Sequence, residues 1–253
     1  MQQLAWALFG SLLFLSSAQA TADDQLTLYT EHFPPYNFED NGTIGDQIRG
    51  INADILTQAC VIAKIKCDMQ MYPWLRAMEL AQKNPASGIF TISRTKSRVP
   101  LFQWVGPIAS SKAYLYRLVS RPEIAASTLE QAKQYSIAVA HGDVYEEFLL
   151  SKGFEYGKNL IEFRSKSEPI PLFVQGKVDL VIGSDIVIPS WLASHQLPAD
   201  TAVPVIELTT SGNNFLALNH AVPAELAIRL QQAIDQLKQN GKYQQIVDSY
   251  QSK

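Results

Sequence analysis

A two-lobed α/β fold is what this sequence predicts. Strand, turn and helix signatures alternate along it, and they do so in two separate blocks rather than in one continuous series. No tandem repeat or low-complexity tract accompanies them, so two lobes fit better than a repeat array or a single sheet.

The chain opens with an apolar core from Leu4 to Leu15, followed by Ser16-Ser17-Ala18-Gln19-Ala20, whose small residues suit signal peptidase. Residues 1–20 are therefore expected to be a secretory signal peptide, cleaved near Ala20, and the protein to be exported. The apolar run is short of the ~20 residues of a membrane span, although the absence of Lys or Arg before it leaves an uncleaved anchor as the alternative. No Cys follows the core to carry a lipid. The remainder, with no second such stretch, is expected to be soluble. A net charge of −3 and the lack of any Lys/Arg cluster interleaved with aromatics exclude nucleic acid as a partner.

The first block begins with Leu26 to Thr30, which alternates like a strand. Next comes Glu31-His32-Phe33-Pro34-Pro35-Tyr36, where two prolines forbid regular structure and hold aromatics in a stiff loop suited to lining a pocket. After the turn Asp40-Asn41-Gly42-Thr43, formally a glycosylation sequon, Ile51, Ile55, Ala59 and Ile62 recur at helical spacing. Cys67 to Tyr72 reads as a strand, Pro73 to Ala81 as a helix with proline in its first turn, and Gly88 to Ile92 as the next strand.

The second block holds a strand from Ala113 to Ser120, a short helix from Ser127 to Lys133 and a buried strand from Ser136 to Ala140. His141-Gly142-Asp143 turns into a helix running to Leu150. Pro169 to Gln175 forms another that stops at Gly176, and Val178 to Ile182 is a strand ending at Gly183-Ser184-Asp185. A strand at Phe215 to Leu218 follows, then an amphipathic helix on Leu226, Leu230, Ile234 and Leu237, and a final one carrying Tyr243, Ile246, Val247 and Tyr250.

Thr91-Ile92-Ser93-Arg94-Thr95-Lys96-Ser97-Arg98 packs hydroxyls, backbone donors and three cations at the carboxyl end of a strand, where open α/β sheets place ligands. A guanidinium can grip two anion oxygens while hydroxyls and the free N–H groups of a following helix complete a carboxylate cradle; the alternative is a solvated basic turn. The two cysteines, Cys60 and Cys67, bracket Val61 to Lys66. In an exported protein a disulfide is expected of them, pinning a helix end to the next strand, since no His stands near for zinc and the spacing exceeds a C-x-x-C pair.

Phe33-Pro34-Pro35-Tyr36, Gly50-Ile51-Asn52-Ala53-Asp54, Pro73-Trp74, the Thr91 to Arg98 segment, Gly176-Lys177-Val178-Asp179 and Asn240-Gly241-Lys242-Tyr243 fall in an order that resembles the family 3 periplasmic solute-binding proteins, the polar amino acid binding group of ABC transport systems. The likeness runs from about Leu26 to Ser249. It implies a type II periplasmic binding fold, with two α/β lobes joined by a two-strand hinge: lobe 1 from residues 24–110 plus 214–253, lobe 2 from 112–211. A disulfide of the spacing of Cys60 and Cys67 is also found in basic amino acid binders of that family.

The resemblance further implies a ligand set. An arginine six residues before an aromatic grips the ligand carboxylate, which selects Arg98 before Trp104 over Arg94 or Lys96; Ser93 and Thr91 share the anion. Glu31, Phe33 and Trp74 match lobe 1 wall positions, the alternative for Phe33 and Trp74 being a place in the core. Arg76 faces either the cleft or a surface salt bridge. In lobe 2 the chain departs from the family: His141-Gly142-Asp143-Val144 stands where Gly is followed by two Ser or Thr, and Ser184, with Asp185 next, stands where an Asp meets the α-amino group. Asp143 either caps its helix or, like Asp185, supplies charge to a cationic or zwitterionic ligand.

The expected function is a noncatalytic, monomeric receptor, without cofactor or metal, that captures a small polar, carboxylate-bearing solute (an amino acid or related compound) and delivers it to the permease of an ABC-type transporter. The alternatives are a dehydratase-like enzyme on the same fold, with Glu146, Glu147, His141 and Asp185 as its ionisable groups, and a stand-alone solute sensor. No Ser-His-Asp order or metal-spaced cluster is visible among His32, His141, His195 and His220.

Overall fold

The computed structural model describes residues 24–39, 47–209 and 212–251. The expected signal peptide, residues 1–20, and the expected turn from Asp40 to Thr43 lie outside the described residues.

Lobe 1 is built on a five-stranded sheet in the order β4-β1-β5-β12-β6, formed by β1 (Gln25–Thr30), β4 (Lys66–Met71), β5 (Ser87–Ile92), β6 (Gln103–Ser110) and β12 (Asn213–Leu218). Strands β4 and β5 run parallel to β1, while β12 runs antiparallel to β5 and β6. Every residue of β5 is buried, because α1 (Ile51–Ala63) and α7 (Ala224–Gln239) help cover one face of the sheet and α2 (Trp74–Lys83) the other. Leu26 and Leu28 accordingly pack with the α1 and α7 cluster, and Tyr29, on the opposite face, with Trp74, Ala77 and Ala81 of α2.

The second sheet has the order β10-β7-β11, with β7 (Ala113–Leu118) between β10 (Val181–Gly183) and β11 (Ala202–Leu208). Beside it lies the parallel pair β8 (Ile137–Ala140) and β9 (Leu160–Phe163), connected through an Ile137 to Leu180 bridge. Helices α3 (Leu129–Ala132), α4 (Val144–Ser151), α5 (Ile170–Val174) and α6 (Val187–Ser194) belong to this half. The chain passes between the sheets twice, from β6 to β7 and from β11 to β12, and the two passages meet where Ser111 N–H donates to Gly212 O at 3.2 Å.

Among the longer elements, β6, β9, β11 and α6 were not legible in the sequence. Gly106-Pro107 sits inside β6, where a turn signal masks a strand, and Pro204 sits inside β11, tolerated on an edge strand beside a register shift at Val205. Strand β9 is short and interrupted by Glu162, and α6 carries Pro189 in its first turn. In the remaining elements boundaries differ by a few residues. The two-stranded β2 (Phe38–Glu39) and β3 (Ile48–Arg49) flank the residues not described, and α8 (Lys242–Gln251) packs on α7 and α1.

Cys60 and Cys67 form the expected disulfide. It ties the last turn of α1 to β4 beside a left-handed Lys64 that ends the helix, with Ile65 N–H donating to Cys60 O at 3.0 Å. Because the closed loop is short, replacing both cysteines with serine is expected to cost about 2 kcal/mol, lowering the melting temperature by roughly 4–8 °C. An unchanged calorimetric midpoint would contradict that. No helix among the described residues is long and apolar enough to cross a membrane.

Candidate functional site

A cavity opens between the two sheets, walled by residues from both. Its contributors come from carboxyl ends of strands: Phe33 follows β1, Thr91 closes β5, Asp143 and Val144 follow β8, Lys166 follows β9 and Ser184 follows β10.

The stiff Pro34-Pro35-Tyr36 loop is fixed by the start of α1. Pro35 O and Tyr36 O accept the otherwise unpaired N–H groups of Ile51 and Asn52, both at 2.9 Å. Gly50 permits this approach: its φ is 123°, and a Cβ there would fall 2.5 Å from Tyr36 O. Phe33 and Tyr36 are thereby held side by side in the wall, with ring centroids 5.4 Å apart.

Thr91 is a bulged residue. On the β12 partner, Phe215 faces Ile92 and Leu216 faces Phe90, leaving Thr91 unpaired in register with a φ of 62°. Such a conformation is strained for a β-branched residue and persists here because a buried network fixes it. Thr91 Oγ1 accepts from Asn52 Nδ2 at 3.0 Å and donates to Asn37 Oδ1, while Asn37 Nδ2 donates to Glu31 O. The Thr91 hydroxyl is thus engaged within the protein, while the residue itself lines the cavity.

The bulge leads into the turn that presents Arg98. The helix expected after it is a single 3-10 turn, Val99–Leu101. Arg98 is buried, with its guanidinium carbon 5.0 Å from the centroid of the Trp74 ring. Nη2 donates to Gly142 O at 2.9 Å and Nη1 more weakly to Ser93 O at 3.4 Å. Among the described residues no carboxylate lies within 4 Å of it. Burial pushes its pKa down, opposed by the charges of Asp143, Glu147 and Glu31, and the group remains a cation. Arg94 instead lies over Trp104, and Lys96 is exposed.

A second cation, one not expected from the sequence, lies against the same Trp74 ring. Lys166, in the loop between β9 and α5, reaches across the cleft with only 13% of its side chain exposed. Its ammonium pairs with Glu31, sits 3.6 Å from Asp143, and lies 4.7 Å and 5.4 Å from the ring centroids of Phe33 and Trp74. Burial pushes the Glu31 carboxyl up, with Lys166 the main opposing influence. Burial also opposes charge on Lys166, but Asp143 and Glu31 overcome it and raise its pKa, so the lysine holds its proton within the coupled group. Asp143 is also the N-cap of α4, accepting from Val144 N–H at 2.7 Å, so the two expectations for it combine: it caps, and it faces the cleft rather than solvent.

Two donors in the wall point to a ligand. The Trp191 indole N–H and the Tyr36 hydroxyl are buried without a hydrogen bond of good geometry, although the Ser111 and Ser184 hydroxyls neighbour Tyr36. Unpaired buried donors cost free energy unless an acceptor meets them. Trp191 lies on α6, packed near Phe33 with ring centroids 6.0 Å apart.

The lobes are in direct contact across this cavity. Gly142 O accepts both from Arg98 and from Trp74 Nε1, the latter at 2.9 Å, and Ser97 Oγ donates to Glu147 at 3.2 Å. Gly142 itself has a φ of 71°.

Of the other expected site residues, Trp74, Ser93, Val144 and Ser184 line the cavity, and Glu31 stands behind it against Lys166. The Ser184 hydroxyl accepts from Ile186 and Val187 N–H at the start of α6. Arg76, His141 and Asp185 are not in the wall. Arg76 leaves α2 on a different side from Trp74 and pairs with Glu79 at 2.8 Å. His141 is 54% exposed and tied through Nδ1 to Glu162 at 2.5 Å and Glu146 at 3.5 Å. Asp185 is exposed one residue past Ser184. The trio His141, Glu146 and Glu162 brings potential metal ligands together, yet Glu146 is already engaged by Gly142 N–H at 2.7 Å and by the Tyr156 hydroxyl.

Comparison with known proteins agrees with this architecture. The chain is 23% identical over 242 residues to an arginine-binding periplasmic protein of Mannheimia haemolytica, covering 95% of this chain and 96% of that one. Among solved structures, an ancestral arginine-binding protein bound to arginine matches with a TM-score of 0.76 at 18% identity, over 89% of this chain and 97% of that one. A histidine kinase sensor domain with similarity to periplasmic binding proteins matches equally well, with a TM-score of 0.76 at 18% identity, over 90% and 95%. These structures establish the two-lobed periplasmic binding protein fold. A family model, bacterial extracellular solute-binding proteins, family 3, matches residues 26–253. Since that match runs from the first strand of lobe 1 through lobe 2 and back to the last helix, the chain belongs to the family 3 bacterial extracellular solute-binding proteins, and its role is to bind a substrate.

Proposed function

We propose that this protein is a noncatalytic periplasmic receptor that captures a small polar solute bearing a carboxylate, an amino acid or a related compound, and hands it to the permease of an ABC-type transporter. The observation that carries this reading is Arg98. It is a buried guanidinium facing the cavity whose hydrogen bonds go to backbone carbonyls and whose charge has no carboxylate in contact among the described residues. A planar fork of that kind gains most from a bidentate anion. The unpaired Trp191 and Tyr36 donors add two sites for the acceptor atoms of the same ligand.

In this reading lobe 1 comprises residues 24–110 plus 214–253 and lobe 2 residues 112–211, with the paired passages near Ser111 and Gly212 as the hinge. A solute that touches both lobes favours closure through its differential contacts. Residues 1–20 serve as the cleaved leader, and the receptor acts as a monomer. Binding is favoured over dehydratase chemistry because His141 and Glu147 lie outside the cavity wall and Glu146 is tied down by Gly142 and Tyr156.

A thermal-shift screen of amino acids, dipeptides, polyamines and aromatic acids tests the proposal. A carboxylate-bearing solute present at a hundredfold excess over its Kd stabilises by about 2.7 kcal/mol, raising the midpoint by roughly 5–11 °C, with no product formed on prolonged incubation. Hits confined to polyamines, or turnover of an aromatic acid, would overturn it.

A further inference from the structure

We propose that Lys166 is a built-in occupant of a cation seat formed by Glu31, Asp143, Phe33 and Trp74, and that it sets this cleft against solutes with a cationic side chain. The inference deepens the reading of the cleft as a carboxylate-solute site and concerns the charges that share the Trp74 ring with Arg98.

The seat has the features that select an ammonium or guanidinium. Two carboxylates, 6% and 8% exposed, supply the charge, and two aromatic faces within cation–π range supply the walls. Taken alone it is a receptor for an organic cation. In this chain the cation arrives on a side chain, from a loop tied by Arg164 N–H donating to Glu168 at 2.7 Å and by Ile170 N–H donating to Ser167 O at 3.2 Å. Its tether makes the pairing intramolecular, so a free cation must compete with a group held at high effective concentration.

Charge balance points the same way. Glu31, in contact, and Asp143, at 3.6 Å, both bear on Lys166, whereas among the described residues Arg98 has only backbone carbonyls as hydrogen-bond partners. A ligand cation entering the seat would displace the Lys166 ammonium without giving it a new partner, and an unpaired buried charge is costly. A ligand carboxylate meets Arg98 without disturbing the lysine. The substrate class is therefore a carboxylate-bearing solute without a cationic side chain. Arginine, named for the Mannheimia haemolytica relative, falls outside it.

The test is Lys166→Ala with n-propylammonium, which replaces the atoms the substitution removes. The variant is expected to melt below the wild type. Propylammonium at tenfold excess over its Kd should raise its midpoint by roughly 3–6 °C, while leaving the wild type unmoved and n-propanol inactive on both. Arginine should bind the variant at least tenfold more tightly than the wild type. If Lys166→Ala does not fold unaided, refolding in propylammonium supports the proposal and failure to refold there overturns it. Equal stabilisation of both proteins by propylammonium, no effect on a folded variant, or arginine affinity unchanged by the substitution each overturns it as well. The rescue involves no carboxylate, so its failure leaves the Arg98 reading standing, and failure of the solute screen leaves the rescue interpretable.

Discussion

Replacing Arg98 with alanine is expected to weaken binding of the carboxylate-bearing solute by at least about thirtyfold, or ~2 kcal/mol, the scale for truncating one partner of a buried, hydrogen-bonded charge pair. The loss should lie in affinity rather than folding. Arg98 is desolvated without a contacting carboxylate, so removing it relieves a burial cost while forfeiting bonds to Gly142 O and Ser93 O. Lysine at this position should recover little, because a point charge on a flexible stem does not reproduce the bidentate fork or lie flat against Trp74. Calorimetric titration checks both variants; an affinity within threefold of wild type in Arg98→Ala would contradict the role.

Replacing Trp74 with alanine should have the second large effect, and it should fall on both stability and closure. Trp74 is buried at the start of α2, packs with Tyr29, Ala77 and Ile92, lies against Arg98 and Lys166, and donates to Gly142 O in the other lobe. Emptying a site of that size costs about 3–5 kcal/mol, or roughly 6–20 °C in melting temperature. Trp74→Phe separates the two contributions. It should recover most of the stability while still lacking the indole N–H that reaches Gly142, so solute affinity should stay below wild type. A phenylalanine variant with full affinity would show that the bond to Gly142 contributes nothing to closure.

What was legible in the sequence follows from how local each signal is. Strand β1 declared itself through alternation and β5, β7 and β8 through largely apolar runs of the right length, and Arg98 through hydroxyls and cations placed just after one of them. Strands β6 and β11 were hidden because Gly106-Pro107 and Pro204 read as turns, and only their pairing with β12 and β7 makes them strands. The site was legible by lobe. In lobe 1, Phe33, Trp74, Thr91, Ser93 and Arg98 all line the cavity, but the bonds of the Thr91 hydroxyl to Asn37 and Asn52, far apart in sequence, arise only on folding.

Lobe 2 was harder to read because its contribution depends on long-range charge pairing. Lys166 lies in a polar loop, Arg164-Ser165-Lys166-Ser167, that reads as solvated surface; Glu31, its partner, is 135 positions earlier. One signal could have found it, since the loop follows the carboxyl end of β9, but that strand was itself missed. Asp143 departs from the small hydroxyl residue that the family places there. Its reason is visible only with Lys166 beside it: the chain carries a cation and its counter-charges together.

The measurement that tests the central claim most directly is a calorimetric cycle of four titrations, pairing wild type and Arg98→Ala with the best solute from the screen and with its carboxamide. If Arg98 grips the carboxylate, wild type should prefer the acid by at least about thirtyfold, and the variant should bind acid and amide within about threefold of each other. Equal discrimination by both proteins would mean that the carboxylate is recognised elsewhere, and would contradict the account of this cleft.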